Sequence, residues 1–359
     1  MLAPLRFERG PRMSTQQKTA GALQHARLPG WAPGVVLTGS AAFGGLVWLL
    51  SGNVAFGVAG LILAFLIAMP LWATLVEGRR AGVDRAVTAM VWSAFGVILI
   101  PLVWLIWLTV SKGIEAINME FLTYSMRSVV GDEQGGLYHA LLGTLIVTGI
   151  AALISVPIGI FAAIYLIEYG RGTKLSKAIT FLVDVMTGIP SIVAGLFAFA
   201  LFALVFGPGR FGLAGGIALS LLMVPTVVRA TEEMLKLVPD DLREASYALG
   251  VSKWRTIAKV VLPTSIGGIV TGVVLAIARV IGETAPLLVA SGFTNNVNTN
   301  PVDGPMMTLP VFIYTQYTQA TEKGALYAWG GALTLIVIVM LLNLVARIIG
   351  KIYAPKTGH

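Results

Sequence analysis

Eight long apolar runs, separated by short polar segments, dominate the chain. They lie near 33–51, 54–76, 86–110, 138–167, 178–206, 212–229, 264–290 and 326–349. An α-helix needs roughly 20 apolar residues to cross a hydrocarbon layer, and these runs are of that length. A membrane-spanning β-strand is about 10 residues long and alternates strictly between apolar and polar positions; no run here alternates in that way. The pattern predicts an all-α, polytopic membrane helix bundle with about eight transmembrane helices. Composition supports it: 56% of the 359 residues are hydrophobic and 12% charged, against about 25% charged in a soluble domain.

The cations fix an orientation. With the N-terminus inside and all eight runs crossing, 20 of the 25 Lys and Arg residues fall on inside segments and Lys112, Arg127, Arg210 and Lys323 fall outside. Such an excess is the positive-inside signal. It places both termini in the cytoplasm and the chain in an inner or plasma membrane. The net charge of +8 thus reports topology rather than nucleic-acid binding. The resulting organisation is a basic cytoplasmic tail (1–32), two extra N-terminal helices (33–85), a six-helix core (86–350) and a short cytoplasmic tail (351–359). The first tail is too long and too polar for a secretory signal, in which an apolar stretch comes directly after a short basic start. The longest outside segments are 111–137 and 291–325. The second, rich in Asn, Thr, Pro and Gly, reads as an exposed loop.

Several chemistries are excluded. There is no cysteine and only three scattered histidines, His25, His139 and His359, so a disulfide framework or thiolate metal site cannot form and a zinc or haem centre is not expected. No G-x-x-x-x-G-K-[ST] string is present, so the chain lacks a nucleotide cradle of that kind. The expectation is a transporter component rather than an enzyme, with no cofactor of its own, drawing energy from a partner or an ion gradient.

The inside segment 229–263 is far longer than an ordinary connector of about 4–6 residues. Val238-Pro239-Asp240-Asp241 reads as a helix start, with Pro and acidic groups in the first turn. Gly250 suits a helix end. A second helix runs through Trp254, Ile257, Val260 and Val261 up to Pro263. One reading is an amphipathic helix lying on the membrane surface. The segment also resembles the E-A-A, three residues, G, nine residues, I, one residue, L-P motif of importer-type ABC permeases. It carries Glu244-Ala245-Ser246, Gly250, Val260 and Leu262-Pro263 at that spacing, with Ser246 in place of Ala and Val260 in place of Ile. The resemblance implies a type I ABC importer permease fold. It also implies a short coupling helix, with Glu244, Ala245, Ser246, Gly250, Leu262 and Pro263, that docks into an ATPase subunit.

Charges also stand inside the apolar runs. Arg279 lies about 22 Å along the run 264–290, at 1.5 Å per residue, where a guanidinium costs about 2.5–3.5 kcal/mol. Glu283, four residues on, would share its helix face. The two form either a permanent internal ion pair or a site where an anion reaches Arg279 and Glu283 is the counter-ion between transits. Thr284 adds a hydroxyl. Arg229 is either an interfacial anchor or a group lining the inner exit. Asp184 has no evident partner, and the Gly- and Pro-interrupted string 187–196 reads as a broken helix of the kind that lines substrate paths.

The strings "GGLYHALLGTL" (135–145), "GIPSIVAGLF" (188–197), "VPTVVRATEEML" (224–235), "LREASYALGVSKWRTI" (242–257), "LAIARVIGETAPLL" (275–288) and "LPVFIYTQY" (309–317) together resemble the phosphate-specific transport permeases of the PstA type. The resemblance covers about residues 90–355 and leaves the first two runs outside. It implies a heterodimer with a PstC-type permease, a PstB-type ATPase dimer that binds the ATP and Mg, and a PstS-type phosphate-binding protein. It also implies a substrate pathway that includes Arg229, Arg279, Glu283 and Thr284. Three alternatives remain from the sequence: a permease for another oxyanion such as sulfate, molybdate or phosphonate, an anion transporter or channel driven by an ion gradient, and a structural or assembly subunit without transport activity.

Overall fold

The computed structural model describes residues 27–129 and 134–352; most of the basic N-terminal tail and the last residues of the chain lie outside them. All regular structure among the described residues is helical. Among the described residues, seven helices are long and apolar enough to cross a membrane, or eight if one bent pair counts as a span. The chain forms two compact units that divide between Leu105 and Ile106.

The first unit holds α1 (Ala32–Ser51), α2 (Val54–Glu77) and most of α3 (Arg79–Gly113). Gly52 closes α1 with φ +66°, a left-handed conformation that glycine adopts without a Cβ penalty. Asn53 then caps α2, its side-chain oxygen accepting the Ala55 N–H at 2.9 Å, which satisfies one of the orphan donors of the first turn. Small residues let α1 and α2 approach at backbone distance: a Cβ on Gly44 would stand 2.6 Å from the Gly57 carbonyl oxygen. Close crossings of this kind replace the hydrophobic effect as the source of helix association in lipid. The outer sides of these helices expose Leu49, Leu50 and Leu75, an apolar coat suited to a bilayer.

The second unit begins with the end of α3 and the short α4 (Met119–Thr123). It continues through α5 (Tyr138–Ile164), which closes in a π-turn at Tyr165–Tyr169, then α6 (Lys174–Thr187), α7 (Ser191–Phe206) and α8 (Gly212–Lys236). Next come α9 (Asp240–Ala248), α10 (Lys253–Thr256), α11 (Leu262–Val280), α12 (Ala285–Ala290), α13 (Leu309–Thr318) and α14 (Glu322–Ile352). Its core lies along the α5–α8 contact. Val147, Ala151, Leu219, Met223 and Val227 are fully buried there, and Gly159 and Gly216 face Val227 and Ile150 at distances no Cβ could keep. The Ser155 hydroxyl donates to the Ser220 carbonyl at 3.2 Å, so the polar group buried in this contact is satisfied. Ala276 and Val280 of α11, Leu287 of α12 and Phe312 of α13 extend the same core.

The run 178–206 is broken where the Gly- and Pro-interrupted string 187–196 predicts, and α6 and α7 meet at 105°. Pro190 supplies the break, since it lacks an N–H and disfavours helical geometry at the residue before it. Three expectations are corrected. The run 264–290 is not one span. The continuous helix is Lys253–Val280, and the chain turns at 281–284 before α12. Pro263 does not end a helix, because the π-turn at Ile257–Val261, closed by Leu262 N–H to the Ile257 carbonyl, widens the turn in front of the proline ring. Finally, 291–325 is not an exposed loop throughout. Asn298 donates to the Asp303 and Pro305 carbonyls at 2.8 and 3.0 Å, which folds the polar part back on itself. Met306, Met307, Thr308 and Leu309 are then buried, with the Leu309 N–H on the Thr144 hydroxyl at 2.7 Å.

Candidate functional site

α9 begins as the sequence predicts, with Pro239 at the cap and Asp240 and Asp241 in the first turn, where carboxylates favour the positive end of the helix dipole. It ends where Gly250 takes φ +76° and the Val251 N–H closes on the Ser246 carbonyl at 3.2 Å. A Cβ at Gly250 would meet nothing within 4 Å, so any other residue there is resisted by backbone conformation alone. Gly250→Val is therefore expected to loosen the end of α9 by about 1–2 kcal/mol. Faster amide exchange at 247–251 with unchanged exchange in α5 would register it.

The two faces of α9 differ. Arg243 and Ser246 point inward and are buried, whereas Leu242, Glu244, Ala245, Tyr247 and Leu249 are exposed. Leu249 is 83% exposed, and Trp254, just beyond, is also bare. The inward face is held firmly. Arg243 donates from Nε and Nη2 to Glu168 Oε1 at 3.1 and 2.8 Å. Its Nη1 donates to the Val238 carbonyl at 2.7 Å and to Asp240 Oδ1 at 3.1 Å, and its Nη2 also to the Leu235 carbonyl at 3.1 Å. All five guanidinium donors are thus engaged, with the two side chains only 8% and 4% exposed. The hydroxyls of Ser246 and Thr256 lie 2.8 Å apart, and Lys253 Nζ stands 4.9 Å from the centre of the Tyr169 ring. α9 is therefore tied to the end of α8, to α10 and to the π-turn that closes α5. Leu262 and Pro263 sit further along, inside the continuous helix that begins at Lys253.

Arg229 sits on α8 in a balanced ionic cluster. It bonds to Asp184 of α6 and, at 2.8 Å, to Glu232. Glu232 in turn accepts from Lys236 Nζ at 2.7 Å. Asp184 thereby has its partner, and two cations face two carboxylates. In this arrangement Arg229 is paired with two carboxylates, its side chain about a third exposed.

Arg279 is placed differently. It lies in the last turn of α11, exposed, with no ion pair or hydrogen bond from its side chain to the described residues. The predicted Arg279–Glu283 pair does not form. The helix ends at Val280, and the Glu283 N–H turns back to the Val280 carbonyl at 3.1 Å, so the two residues no longer stack one helical turn apart. Thr284 precedes α12, half-buried. The turn brings Pro286 against α7, where a Cβ on Gly195 would lie 2.5 Å from its Cα. The structure therefore separates the predicted residues into three places: Arg229 in its ionic cluster, Arg279–Thr284 at the α11–α12 turn, and Glu244–Gly250 on α9. Arg243 and Glu168 escape sequence reasoning, because a pair 75 residues apart leaves no local signature. The one hint was Glu168, a carboxylate at the very end of an apolar run.

Residues 155–359 match the family described as binding-protein-dependent transport system inner membrane component. The chain is 49% identical over 273 residues to the phosphate transport system permease protein PstA 1 of Mycobacterium tuberculosis (strain ATCC 25618 / H37Rv), covering 76% of this chain and 88% of that protein. It is 42% identical over 285 residues to the phosphate transport system permease protein PstA of Yersinia pestis, covering 77% and 95%. A solved bacterial alginate ABC transporter, in complex with an alginate pentasaccharide-bound periplasmic protein, shares the fold with a TM-score of 0.55 at 18% identity, over 77% of this chain and 97% of that one. The type I importer permease fold that the family resemblance at Glu244–Pro263 implies is thus present, and the chain belongs to the binding-protein-dependent inner membrane transport components, among the PstA phosphate transport permeases.

Proposed function

We propose that the chain forms one half of the translocation pathway of an ATP-driven phosphate importer and couples to its ATPase through α9. The observation that carries the reading is the two-sidedness of α9: one face locked by five hydrogen bonds of Arg243, the other exposing Leu242 and Tyr247, with Leu249 bare at its end and Trp254 bare on α10 just beyond. Burying a leucine side chain is worth about 1.5–3 kcal/mol, which favours a protein surface beneath it. A PstB-type ATPase dimer, which holds the ATP and Mg, is the partner that fits. A PstC-type permease completes the pathway, and a PstS-type protein delivers phosphate from outside. Both termini of the chain are cytoplasmic in this arrangement, as the excess of cations on that side favours.

The mechanism is alternating access. Closure of the ATPase dimer moves α9. Arg243 transmits that movement to α5 through Glu168 and to α8 through the Leu235 and Val238 carbonyls, rather than letting α9 swing alone. Phosphate meets Arg279, whose planar fork of donors suits phosphate oxygens. Glu283 and Thr284 border that position, the first limiting how tightly an anion is held and the second offering a hydroxyl. Phosphate then passes Arg229 when the cluster with Asp184 opens. Binding at each point must be weak enough to permit release.

The test is co-purification. The wild-type chain, solubilised gently, is expected to carry a nucleotide-binding subunit with it, and Leu249→Asp to lose most of that subunit while its own membrane level is unchanged. Full retention by Leu249→Asp would refute docking through this face.

A further inference from the structure

The three helices of the first unit line a half-open cleft of about 610 Å3. Leu61 and Phe65 of α2 and Trp92 and Ile100 of α3 line it, and Arg85 closes one end. Arg85, Trp92, Gly96 and Ile100 recur on α3 at helical spacing, so one face of the helix looks into the cleft along about 22 Å. That length suits a headgroup plus the acyl region of one leaflet, half of an about 30 Å core.

Arg85 is half-buried and makes no ion pair among the described residues. The nearest carboxylates in the chain do not serve it. Glu77 accepts the Leu28 N–H, and Asp84 is exposed on a neighbouring position that does not share a helix face with Arg85. At the same end, Trp31 and Trp72 pack with ring centres 6.1 Å apart. Tryptophans gather where the hydrocarbon meets the headgroups. Trp72 and Arg85 stand six and seven residues from the Gly78 junction, so Arg85 lies at headgroup depth.

An apolar cleft in a bilayer fills with acyl chains or with another helix. An apolar helix would leave Arg85 without a counter-charge. An anionic lipid supplies both chains and charge. We infer that this cleft binds one anionic glycerophospholipid, its phosphodiester on Arg85 and its chains along Phe65 and Trp92. The site shares no residue with the proposed phosphate pathway and does not depend on the transport assignment.

The full chain, purified in mild detergent after exchange into equal amounts of phosphatidylglycerol and phosphatidylcholine, is weighed intact by native mass spectrometry. The wild type is expected to retain phosphatidylglycerol over phosphatidylcholine by about fivefold, the effect of one Arg beside an anionic headgroup. Arg85→Gln is expected to bring the ratio to about one, Arg85→Lys to keep it, and Arg79→Gln, at an exposed position outside the cleft, to leave it unchanged. Gly96→Leu is expected to reduce retention of both lipids, since a Cβ at Gly96 meets nothing within 4 Å and the side chain can fill the cleft without disturbing the helices. A preference that survives Arg85→Gln, or that falls equally in Arg79→Gln, would reduce the effect to surface attraction and overturn the inference. So would unchanged retention in Gly96→Leu, which would place the lipid elsewhere or a protein helix in the cleft.

Discussion

Arg279→Ala is expected to lower ATP-driven phosphate uptake by about 100-fold while the chain still reaches the membrane and keeps its ATPase partner. Removing one member of a charge-assisted contact costs about 2–5 kcal/mol, and a factor of 100 falls within that range. The structure makes this substitution unusually clean. Arg279 has no side-chain partner among the described residues, so its loss strands no buried carboxylate and opens no cavity in the core. The effect falls on the solute rather than on the fold. Arg279→Lys, which keeps the charge but loses the two-pronged geometry, should lie between. Arg229→Ala is a poorer probe, because it also releases Asp184 and Glu232. Radiolabelled phosphate uptake, normalised to membrane level and co-purified ATPase, checks the series. Unimpaired uptake by Arg279→Ala would remove this residue from the pathway.

Arg243→Leu is expected to have the largest effect on the fold. Breaking a buried ion pair costs about 3–5 kcal/mol because the remaining charge has nowhere to go. Here Glu168 would be left 4% exposed and unpaired, and the carbonyls of Leu235 and Val238 would lose their guanidinium donors. A lower unfolding midpoint of the solubilised chain is the readout for stability. The double variant Arg243→Leu with Glu168→Leu separates stability from coupling. Removing both charges should restore most of the midpoint, whereas phosphate moved per ATP hydrolysed should stay low, since α9 has lost its tie to α5. Recovery of both would make the pair merely structural. An unshifted midpoint in Arg243→Leu would contradict the buried pair itself.

The sequence displayed the bundle readily, because membrane spans are written in long local runs whose length is set by the bilayer. It also displayed α9, whose Pro239 start and Gly250 end are local backbone chemistry. What it concealed depends on distant partners. Asp184 looked solitary until α6 folded back beside α8. Glu168 and Arg243 pair across 75 residues, so neither carries a local sign of the other. The Arg279–Glu283 pair was a sound inference for a helix that continues; the turn at 281–284 removes its premise. Similarly, the turn-rich residues 291–305 gave no sign that Met306 to Leu309 return to the core, since turn composition marks where a chain reverses and not where it packs afterwards.

The most direct measurement is radiolabelled phosphate accumulation in vesicles reconstituted with the chain and its permease partner, supplied with the phosphate-binding protein, with and without the ATPase subunits. Accumulation is expected only with the ATPase present and ATP supplied on its side. Accumulation without any ATP-hydrolysing subunit would contradict the importer assignment at its root.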